Sequence, residues 1–312
     1  MEQIPFGSTA TDMKLDVISE YLTQYKRVMH GAQAKQRRNG WRVWDTMYID
    51  AFAGTGGRPL KKEDIENQDK LLETDESIEE FKVGSALRAL TGKQSFDHYI
   101  FIEEKRKKLN ELRERVSDHA LAERCVFVQG DSNQKLVELC ENTSWRDRRA
   151  VVFLDPFGNS VAWDTVEKIA QTRAIDLWYL FPSGNGVFRQ ISNLGRVTPE
   201  SAKSLDRLFG TPDWRNEFVA EEVREGLFGH TVELVKAVTP ESATDFMIKR
   251  MRSVFAGGVL DHTLPLGDLR HGYPLYSLIF AWANDGKRAG EIASGIAKSI
   301  IESRREKSGW LF

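Results

Sequence analysis

Short, continuous runs of hydrophobic residues alternate with longer amphipathic stretches along this 312-residue chain. A continuous apolar run is typical of a strand that is covered on both faces, because neither face then needs polar side chains. The stretches between the runs place apolar residues at helical spacing, such as Leu109, Leu112 and Val116. We predict buried strands in six runs, at residues 46–52, 98–103, 125–131, 150–157, 175–182 and 275–283.

Strands that alternate with helices indicate an α/β fold, with a Rossmann-like, doubly wound and mainly parallel sheet. We divide the chain into four parts. These are an N-terminal helical segment (1–45), a cofactor-binding core (46–184), a helical insertion after the fifth strand (185–245), and a C-terminal part that completes the sheet and ends in a tail (246–312).

Two segments interrupt the alternation. Residues 61–80 hold nine acidic and three basic side chains with few large apolar ones, which predicts an exposed loop. Apolar stripes around residues 201–210 and 219–238 predict helices within the insertion. The insertion either forms a substrate or partner surface over the carboxyl edge of the sheet or only adds bulk to the scaffold.

The first predicted strand runs directly into the glycine-rich segment DAFAGTGG, residues 50–57. In an open parallel sheet, a ligand binds outside the carboxyl ends of the strands. Gly54 and Gly56 have no Cβ, so the backbone there can turn tightly and approach a ligand closely. The segment lacks the Gly-Lys-Ser/Thr ending of a triphosphate loop and the full dinucleotide fingerprint, so its meaning depends on the later strand ends.

Acidic residues and glycines also stand at the ends of the next three strands. Glu103 ends the second strand, at a place where an acid accepts ribose hydroxyls, and Asp131 follows Gly130 at the end of the third, placed to receive an adenine amino group. The fourth strand ends in DPFG, residues 155–158. Any one of these acids could be an ordinary helix N-cap, but four such ends in this order indicate a nucleoside cofactor.

This constellation, over residues 47–182, resembles the class I methyltransferases that use S-adenosylmethionine. The resemblance implies a seven-stranded sheet, a cofactor ribose on Glu103 and an adenine against Gly130 and Asp131. The acidic loop makes the first two motifs further apart than is usual in that class. For the methionine end of the cofactor, the resemblance implies contacts from Asp50, Phe52, Gly54, Thr55 and Gly56.

Over nearly its whole length, the chain also resembles the three-Cys-motif partner proteins, a bacterial family. The segments that carry this resemblance are YLTQYKRVM, YIDAFAGTG, GSALRAL, YIFIEE, GDSN, VVFLDPFG and PLYSLIFAWAN. The family name implies a separate partner protein with a three-cysteine motif, of the iron-sulfur or radical type. It implies no particular substrate.

Asp155, Pro156 and Phe157 are the candidate catalytic residues. A carboxylate and a backbone carbonyl can accept both hydrogens of an NH2 group and stabilise the positive charge that grows on its nitrogen, while an aromatic ring stacks on a planar base. The DPFG form departs from the pattern of DNA amino-methyltransferases and resembles the fourth motif of transfer-RNA guanine N2-dimethyltransferases. The alternative is that Asp155 only orders its loop.

Residues 24–42 hold six Lys or Arg and no acid, and two tryptophans lie beside them. This pattern fits either a nucleic-acid interface or a solvated helix face, and from it we take Lys26, Arg27, Arg37 and Arg38 as candidate substrate contacts. Residues 182–186 are predicted to form a loop on the substrate side of the pocket. That loop adds Ser183 and Asn185 to the candidates.

Composition narrows the setting of the protein. Lys and Arg number 44 against 46 Asp and Glu, so we expect no uniformly basic surface. Two cysteines and no secretory signal predict a reduced, cytoplasmic protein. No apolar run reaches the roughly 18 residues of a membrane span, and His262 and His271 are too far apart in sequence for a helical metal pair, so we expect neither a membrane segment nor a metal site.

These observations predict an S-adenosylmethionine-dependent methyltransferase that modifies a nitrogen of a nucleic-acid base. One alternative is a methyltransferase-like binding subunit that acts with a three-Cys-motif partner and performs no chemistry alone. Another is a nicotinamide-dependent enzyme on a similar sheet, for which the chain has no dedicated motif. Peptides and small molecules stay open as methyl acceptors, and the sequence indicates no oligomeric state.

Overall fold

A computed structural model describes residues 10–59, 81–92, 94–226, 229–267 and 272–308. The whole of the predicted acidic loop at residues 61–80 therefore lies outside the described residues. In chain order, the helices and strands are α1 (Ala10–Arg38), β1 (Asp45–Asp50), β2 (Gly57–Pro59), β3 (Phe81–Val83), α2 (Ser85–Ala89), β4 (His98–Glu103), α3 (Arg106–Val116), β5 (Cys125–Gln129), α4 (Ser132–Asn142), β6 (Arg148–Leu154), α5 (Trp163–Gln171), β7 (Ile175–Phe181), α6 (Pro199–Phe209), α7 (Trp214–Phe218), β8 (Val219–Gly226), β9 (Gly229–Lys236), α8 (Pro240–Arg252), β10 (Gly258–Val259), β11 (Leu264–Leu266), β12 (Tyr276–Trp282) and α9 (Lys287–Ser308).

The main sheet has the strand order β5, β4, β1, β6, β7, β12, with β10 and β11 both pairing the outer edge of β12. The first five strands are parallel, and β12 runs antiparallel to β7. The chain moves outward from β1 to β5 and then crosses back to β6 on the other side of β1. The carboxyl ends of β1 and β6 therefore flank the point where strand order reverses, which is the usual ligand crevice in such a sheet.

The predicted fold class is confirmed: the protein has a Rossmann-like α/β fold with a mainly parallel sheet, although the described sheet has eight strands and not the expected seven. Side chains of β1 alternate between two buried clusters, with Met47 and Ile49 in one and Tyr48 in the other. Both faces of the sheet are thus covered, as the continuous apolar runs predict. The helical stripe is also confirmed, since Leu109, Leu112 and Val116 are the buried residues of α3.

Helix α1 lies across one face of the sheet and reaches from its carboxyl edge to its amino edge. In its middle, the Tyr21 ring packs against Trp178 and Phe280, with centroids 5.2 and 5.0 Å away. Near its C-terminal end, Gln33 is buried and donates to the Trp44 carbonyl oxygen at 2.7 Å, just before β1 begins. None of the helices within the described ranges is long and apolar enough to cross a membrane.

The segment after β7 contains the helices α6, α7 and α8, but one predicted helix is wrong. Most of residues 219–238 belong to a β-hairpin, in which β8 and β9 pair antiparallel and Val223 lies opposite Val232. Both valines are more than half exposed, whereas the apolar stripe of an amphipathic helix would be buried. Val219, Glu221 and Val223 share one face of a strand. The apolar spacing here is compatible with the helical period of 3.6 and with the strand period of 2, and tertiary context decides between them.

Candidate cofactor and acceptor site

The carboxyl end of β1 carries a fully buried carboxylate. Asp50 is 0% exposed and accepts a hydrogen bond from the Phe52 backbone N–H at 3.2 Å, with further hydrogen bonds from Tyr48 and Ser85. Burial and the nearby charge of Asp155 raise the pKa of Asp50, hydrogen bonds from Ser85, Phe52 and Tyr48 lower it, and the net result is a pKa of about 6. The carboxylate thus holds the backbone at the start of the glycine segment in place through its hydrogen bond with Phe52.

The two glycines of the segment have different roles in the structure. Both have left-handed backbones, with φ of +59° at Gly54 and +79° at Gly56. A Cβ on Gly56 would lie 2.6 Å from Leu112 Cδ1, so Gly56 permits close packing of the loop on α3. A Cβ on Gly54 would meet nothing within 4 Å, so this backbone borders open space at the sheet edge. Phe52 is half-buried against the core, and Thr55 lies between the two glycines, also half-buried.

Glu103 ties the end of β4 to the glycine segment. Its Oε2 accepts the Gly54 backbone N–H at 3.1 Å, and its Oε1 accepts the Lys105 N–H at 2.9 Å. The end of β5 is joined as well, because the Gly130 N–H donates to the Glu103 carbonyl oxygen at 3.3 Å. Three neighbouring strand ends are therefore linked by direct hydrogen bonds to one residue, Glu103.

Asp131 is the N-cap of α4, where its Oδ1 accepts the Gln134 backbone N–H at 2.9 Å. The side chain is otherwise exposed, so Oδ2 faces solvent at the sheet edge. Gly130 has φ of +150°, a backbone conformation that a side chain rarely adopts. The next residue along α4, Ser132, donates to the Ala51 carbonyl oxygen and so fastens this helix start to the end of β1.

An ion pair occupies the end of β6. Lys14, from the first turns of α1, places its Nζ 2.5 Å from Asp155 Oδ2, and the two side chains are 13% and 24% exposed. Asp155 is also close enough to raise the pKa of Asp50. The structure therefore brings the carboxylates that follow β1 and β6 together, with an ammonium group seated on the second.

Phe157 projects from the same turn into solvent. Its side chain is 94% exposed, whereas the neighbouring Pro156 is buried. Gly158 follows with φ of +58°, which lets the chain turn back sharply. An almost fully exposed phenyl ring beside a buried strand end has no packing role in the fold, and its face is free to meet a flat partner.

The residues after β7 form a π-helical turn (Ser183–Val187) where the sequence predicts a loop. Ser183 is fully buried and its hydroxyl lies 3.1 Å from the hydroxyl of Ser277. Asn185 is half-buried and donates to the Tyr276 hydroxyl at 3.1 Å. Gly184 permits this close approach to the neighbouring segment, because a Cβ there would lie only 2.2 Å from the Pro274 carbonyl oxygen. Both predicted substrate contacts are thus engaged within the protein.

The basic residues of α1 lie away from this site. Lys26 is 3% exposed, and its Nζ donates to the Thr91 carbonyl oxygen at 3.1 Å and lies over the Phe96 ring. Arg27 is exposed on the helix surface. Arg37 and Arg38 are exposed in the last turn of α1, at the amino edge of the sheet, so the structure does not bring them near Asp155.

Sequence reasoning missed two polar residues of the site. Lys14 sits in an amphipathic helix and is 141 positions from its partner Asp155, so no local signal marks the pair. Ser85 hydrogen-bonds Asp50 from the start of α2, beyond the acidic segment in sequence. The one sequence feature that Lys14 and Ser85 share is a position near the start of a helix.

The geometry fits a nucleoside cofactor at this edge. Gly54 borders open space where a side chain would intrude, and Glu103 uses one lone pair of each oxygen on a backbone N–H, which leaves the others for ribose hydroxyls. Asp131 keeps Oδ2 free of protein hydrogen bonds within the described residues. Asp50 does not fit a direct contact, because its carboxylate is fully enclosed.

Several solved methyltransferase structures resemble this chain at low sequence identity. The glycopeptide N-methyltransferase MtfA complexed with sinefungin is 12% identical, with 81% of this chain and 85% of that chain covered and a TM-score of 0.32. An S-adenosylmethionine-dependent methyltransferase from Clostridium acetobutylicum is 11% identical, with 84% and 91% covered and a TM-score of 0.33. The methyltransferase domain of bacterial CtHen1-CN is 9% identical, with 83% and 98% covered and a TM-score of 0.34.

No protein-family model matches the chain, and no curated protein matches it. The function is therefore inferred from this chain's own residues and strand order.

Proposed function

We propose that this protein is an S-adenosylmethionine-dependent methyltransferase that modifies an exocyclic nitrogen on a planar nucleic-acid base. The observation that carries the proposal is the cluster at the carboxyl edge of the sheet. There Glu103 holds the Gly54 backbone, and Asp155 and Phe157 follow the neighbouring strand on the other side of β1.

Each residue of the cofactor half has a defined task in this proposal. Glu103 accepts the ribose hydroxyls, and Asp131 accepts the adenine amino group with its free oxygen. Gly54, Thr55 and Gly130 let backbone atoms approach the cofactor, and Asp50 holds the glycine segment in shape from below. When bound, S-adenosylmethionine supplies an electrophilic methyl group on a sulfonium.

Asp155 and Phe157 serve the acceptor. The carboxylate accepts N–H hydrogens of the amine and so stabilises the positive charge that develops on nitrogen. The exposed Phe157 ring stacks on the base, and stacking of this kind tolerates any planar base. Lys14 must leave Asp155 before an amine takes its place, because both groups use the same carboxylate.

A nucleic-acid acceptor also gives a task to the exposed arginines. Arg27, Arg37 and Arg38 lie on α1, and about 35 Å of helix separates the last two from Lys14, at 1.5 Å per residue. A duplex or folded RNA is long enough to span this distance, with its phosphates on the arginines and one base at Phe157.

One observation favours the second candidate, a methyltransferase-like subunit that binds and does not catalyse. The Asp155 carboxylate is already paired with Lys14, an arrangement that suits a site held shut until a partner moves α1. The partner implied by the sequence resemblance is a three-Cys-motif protein. Under this candidate, Asp155 contributes to assembly and not to turnover.

Methyl uptake from radiolabelled S-adenosylmethionine into transfer RNA, ribosomal RNA and DNA tests the proposal. The variant Asp155→Ala should abolish uptake, whereas Asp164→Ala, an exposed carboxylate in the first turn of α5, should leave it intact. Calorimetry with S-adenosylhomocysteine on the same samples reports the cofactor site independently. Binding without uptake in any acceptor pool would favour the binding subunit, and no binding by a folded sample would overturn the methyltransferase.

A further inference from the structure

A cavity lies at the amino edge of the sheet, whereas the proposed acceptor site lies at its carboxyl edge. It opens between α1 and α9, above the amino ends of β6 and β7, and its volume is about 330 Å³. Pockets for small molecules generally start at about this size. Neither Glu103 nor Asp155 contributes to it, so the cavity is separate from the proposed cofactor and acceptor site.

The walls of the cavity are mainly apolar and aromatic. Trp44 lies just before β1, and Trp282 is the last residue of β12. The helices contribute the alkyl side chains of Met29 from α1 and of Ile292 and Ala293 from α9. Such a lining favours a flat, apolar ligand over a sugar or a phosphate. Ile292 is 37% exposed at the helix surface, so the cavity is reached from solvent between the two helices.

Three polar groups converge on this apolar lining. Asp176 accepts the Tyr21 hydroxyl on Oδ2 at 2.7 Å, while Oδ1 has no hydrogen bond from any residue that the structure describes. Tyr25 is 8% exposed, and its hydroxyl likewise has no hydrogen-bond partner among the described residues. Burial keeps the pKa of Tyr25 well above its ordinary value, so the hydroxyl stays protonated and can donate.

The charges around the cavity restrict the ligand further. Arg149 directs N–H groups to the carbonyl oxygens of Trp145 and Arg148 and lies over the Trp44 ring, so its charge balances Asp176 without closing a direct ion pair. Arg288 stands exposed at the rim. A cation would meet two arginines, and an anion would meet the Asp176 carboxylate, so a neutral molecule is favoured.

From this geometry we infer that the α1–α9 cavity is a binding site for a neutral, planar heteroaromatic molecule about the size of one bicyclic ring system. A ring N–H of the ligand donates to Asp176 Oδ1, and Tyr25 donates to an acceptor or π-face of the ligand. The two tryptophans enclose its faces. The site shares no residue with the proposed acceptor site and requires no cofactor.

The test uses 5-fluoroindole as the probe, observed by fluorine NMR with the full-length protein. We expect saturable binding that weakens about 5-fold or more for 5-fluoro-1-methylindole, which lacks the N–H, as the loss of one hydrogen bond of about 1 kcal/mol predicts. The charged analogue 5-fluorotryptamine should bind more weakly than 5-fluoroindole.

Two variants locate the probe. Ala289→Phe places a ring in the cavity and should abolish binding, while Ser299→Phe adds the same ring to an exposed position on α9 and should leave binding unchanged. Asp176→Asn should weaken binding of 5-fluoroindole but not of its methylated analogue. No saturable binding, equal binding by wild type and Ala289→Phe, or tighter binding of the cationic analogue would each overturn the inference.

Discussion

The ammonium group of Lys14 lies 2.5 Å from Oδ2 of Asp155, at the end of the strand where the acceptor amine is proposed to bind. An ammonium on a carboxylate presents the same kind of N–H···O contact that an acceptor amine would make there. The first turns of α1 thus supply a side chain that imitates the substrate. Removal of this side chain should therefore affect acceptor binding more than cofactor binding.

We expect Lys14→Met to lower the KM for the methyl acceptor by up to about 5-fold, the factor that corresponds to a partly exposed ion pair of about 1 kcal/mol. Affinity for S-adenosylhomocysteine should not change, because Lys14 pairs with Asp155 whereas Glu103 bonds Gly54 and Lys105. Steady-state kinetics and calorimetry measure the two effects, with Lys14→Arg as the variant that keeps the ion pair. A fall in kcat at unchanged KM would instead show that Lys14 takes part in the chemistry.

Glu103→Ala should weaken binding of S-adenosylhomocysteine by at least about 10-fold, because two ribose hydroxyls lose a charged acceptor. The matched control is Glu104→Ala, since Glu104 is the exposed neighbour of Glu103. Calorimetric titration of both variants decides the matter. Equal affinity in Glu103→Ala and wild type would remove the ribose assignment.

The two glycines should respond in opposite ways to alanine. Gly56→Ala should lower the free energy of unfolding by about 2–4 kcal/mol, because it combines a left-handed backbone with a clash against Leu112. Gly54→Ala carries only the backbone strain, about 1–2 kcal/mol, but its methyl group enters the cofactor space. Urea denaturation and S-adenosylhomocysteine titration of both variants should therefore give opposite rankings, and the same ranking in both assays would contradict the prediction.

Phe157→Ala should raise the KM for a nucleic-acid acceptor several-fold, because base–aromatic stacking contributes about 1–3 kcal/mol. The thermal midpoint should stay within the error of the wild type, since the ring is 94% exposed. Phe157→Tyr keeps a stacking face and should restore the wild-type KM. A large loss of stability in Phe157→Ala would assign the ring to the fold instead.

The buried carboxylate Asp176 should make stability depend on pH. Burial raises its pKa to about 7, while the hydrogen bond from Tyr21 and the charge of Arg149 oppose this shift. The folded protein therefore binds a proton that the unfolded chain has already lost, between about pH 4 and 7, and stability falls as pH rises through this window. Relative to Asp176→Asn, wild type should lose on the order of 2 kcal/mol between pH 5.5 and pH 8.

Asp97→Asn is the control for that measurement. Burial raises the pKa of Asp97, but hydrogen bonds from Thr46 and Gln33 outweigh it and hold the pKa below its ordinary value. Its contribution is therefore complete at pH 5.5 and should not change up to pH 8. Denaturant midpoints at the two pH values give both comparisons, and a wild-type curve parallel to that of Asp176→Asn would contradict the assigned shift.

The strands and the order of the motifs could be predicted from sequence because both depend on local chemistry. Buried parallel strands need continuous apolar runs, and Glu103 stands where its strand must end. Lys14 could not be found this way, since its contact with Asp155 depends on how α1 crosses the whole sheet. The hairpin at β8 and β9 was mistaken for a helix because the spacing of its valines fits both periods, and Val223 and Val232 are more than half exposed.

The position of the basic residues differs from expectation for a related reason. A run of Lys and Arg in sequence becomes a run around a helix, so Lys26 turns inward to Thr91 while Arg27 turns outward. Charge density in the sequence therefore overstates the basic surface. The side chains that stay exposed lie at the amino edge of the sheet, far from the strand ends that the motifs mark.

Helix α1 carries Lys14 on one side of the molecule and Tyr25, about three turns away, on the other. Both side chains lie on one continuous helix, so a displacement of α1 by a molecule bound beside Tyr25 would also bear on Lys14. Thermodynamic reciprocity then requires that whatever such a molecule does to acceptor affinity, the acceptor does to the affinity of that molecule, by the same factor. One helix thus joins the proposed acceptor site to the α1–α9 cavity.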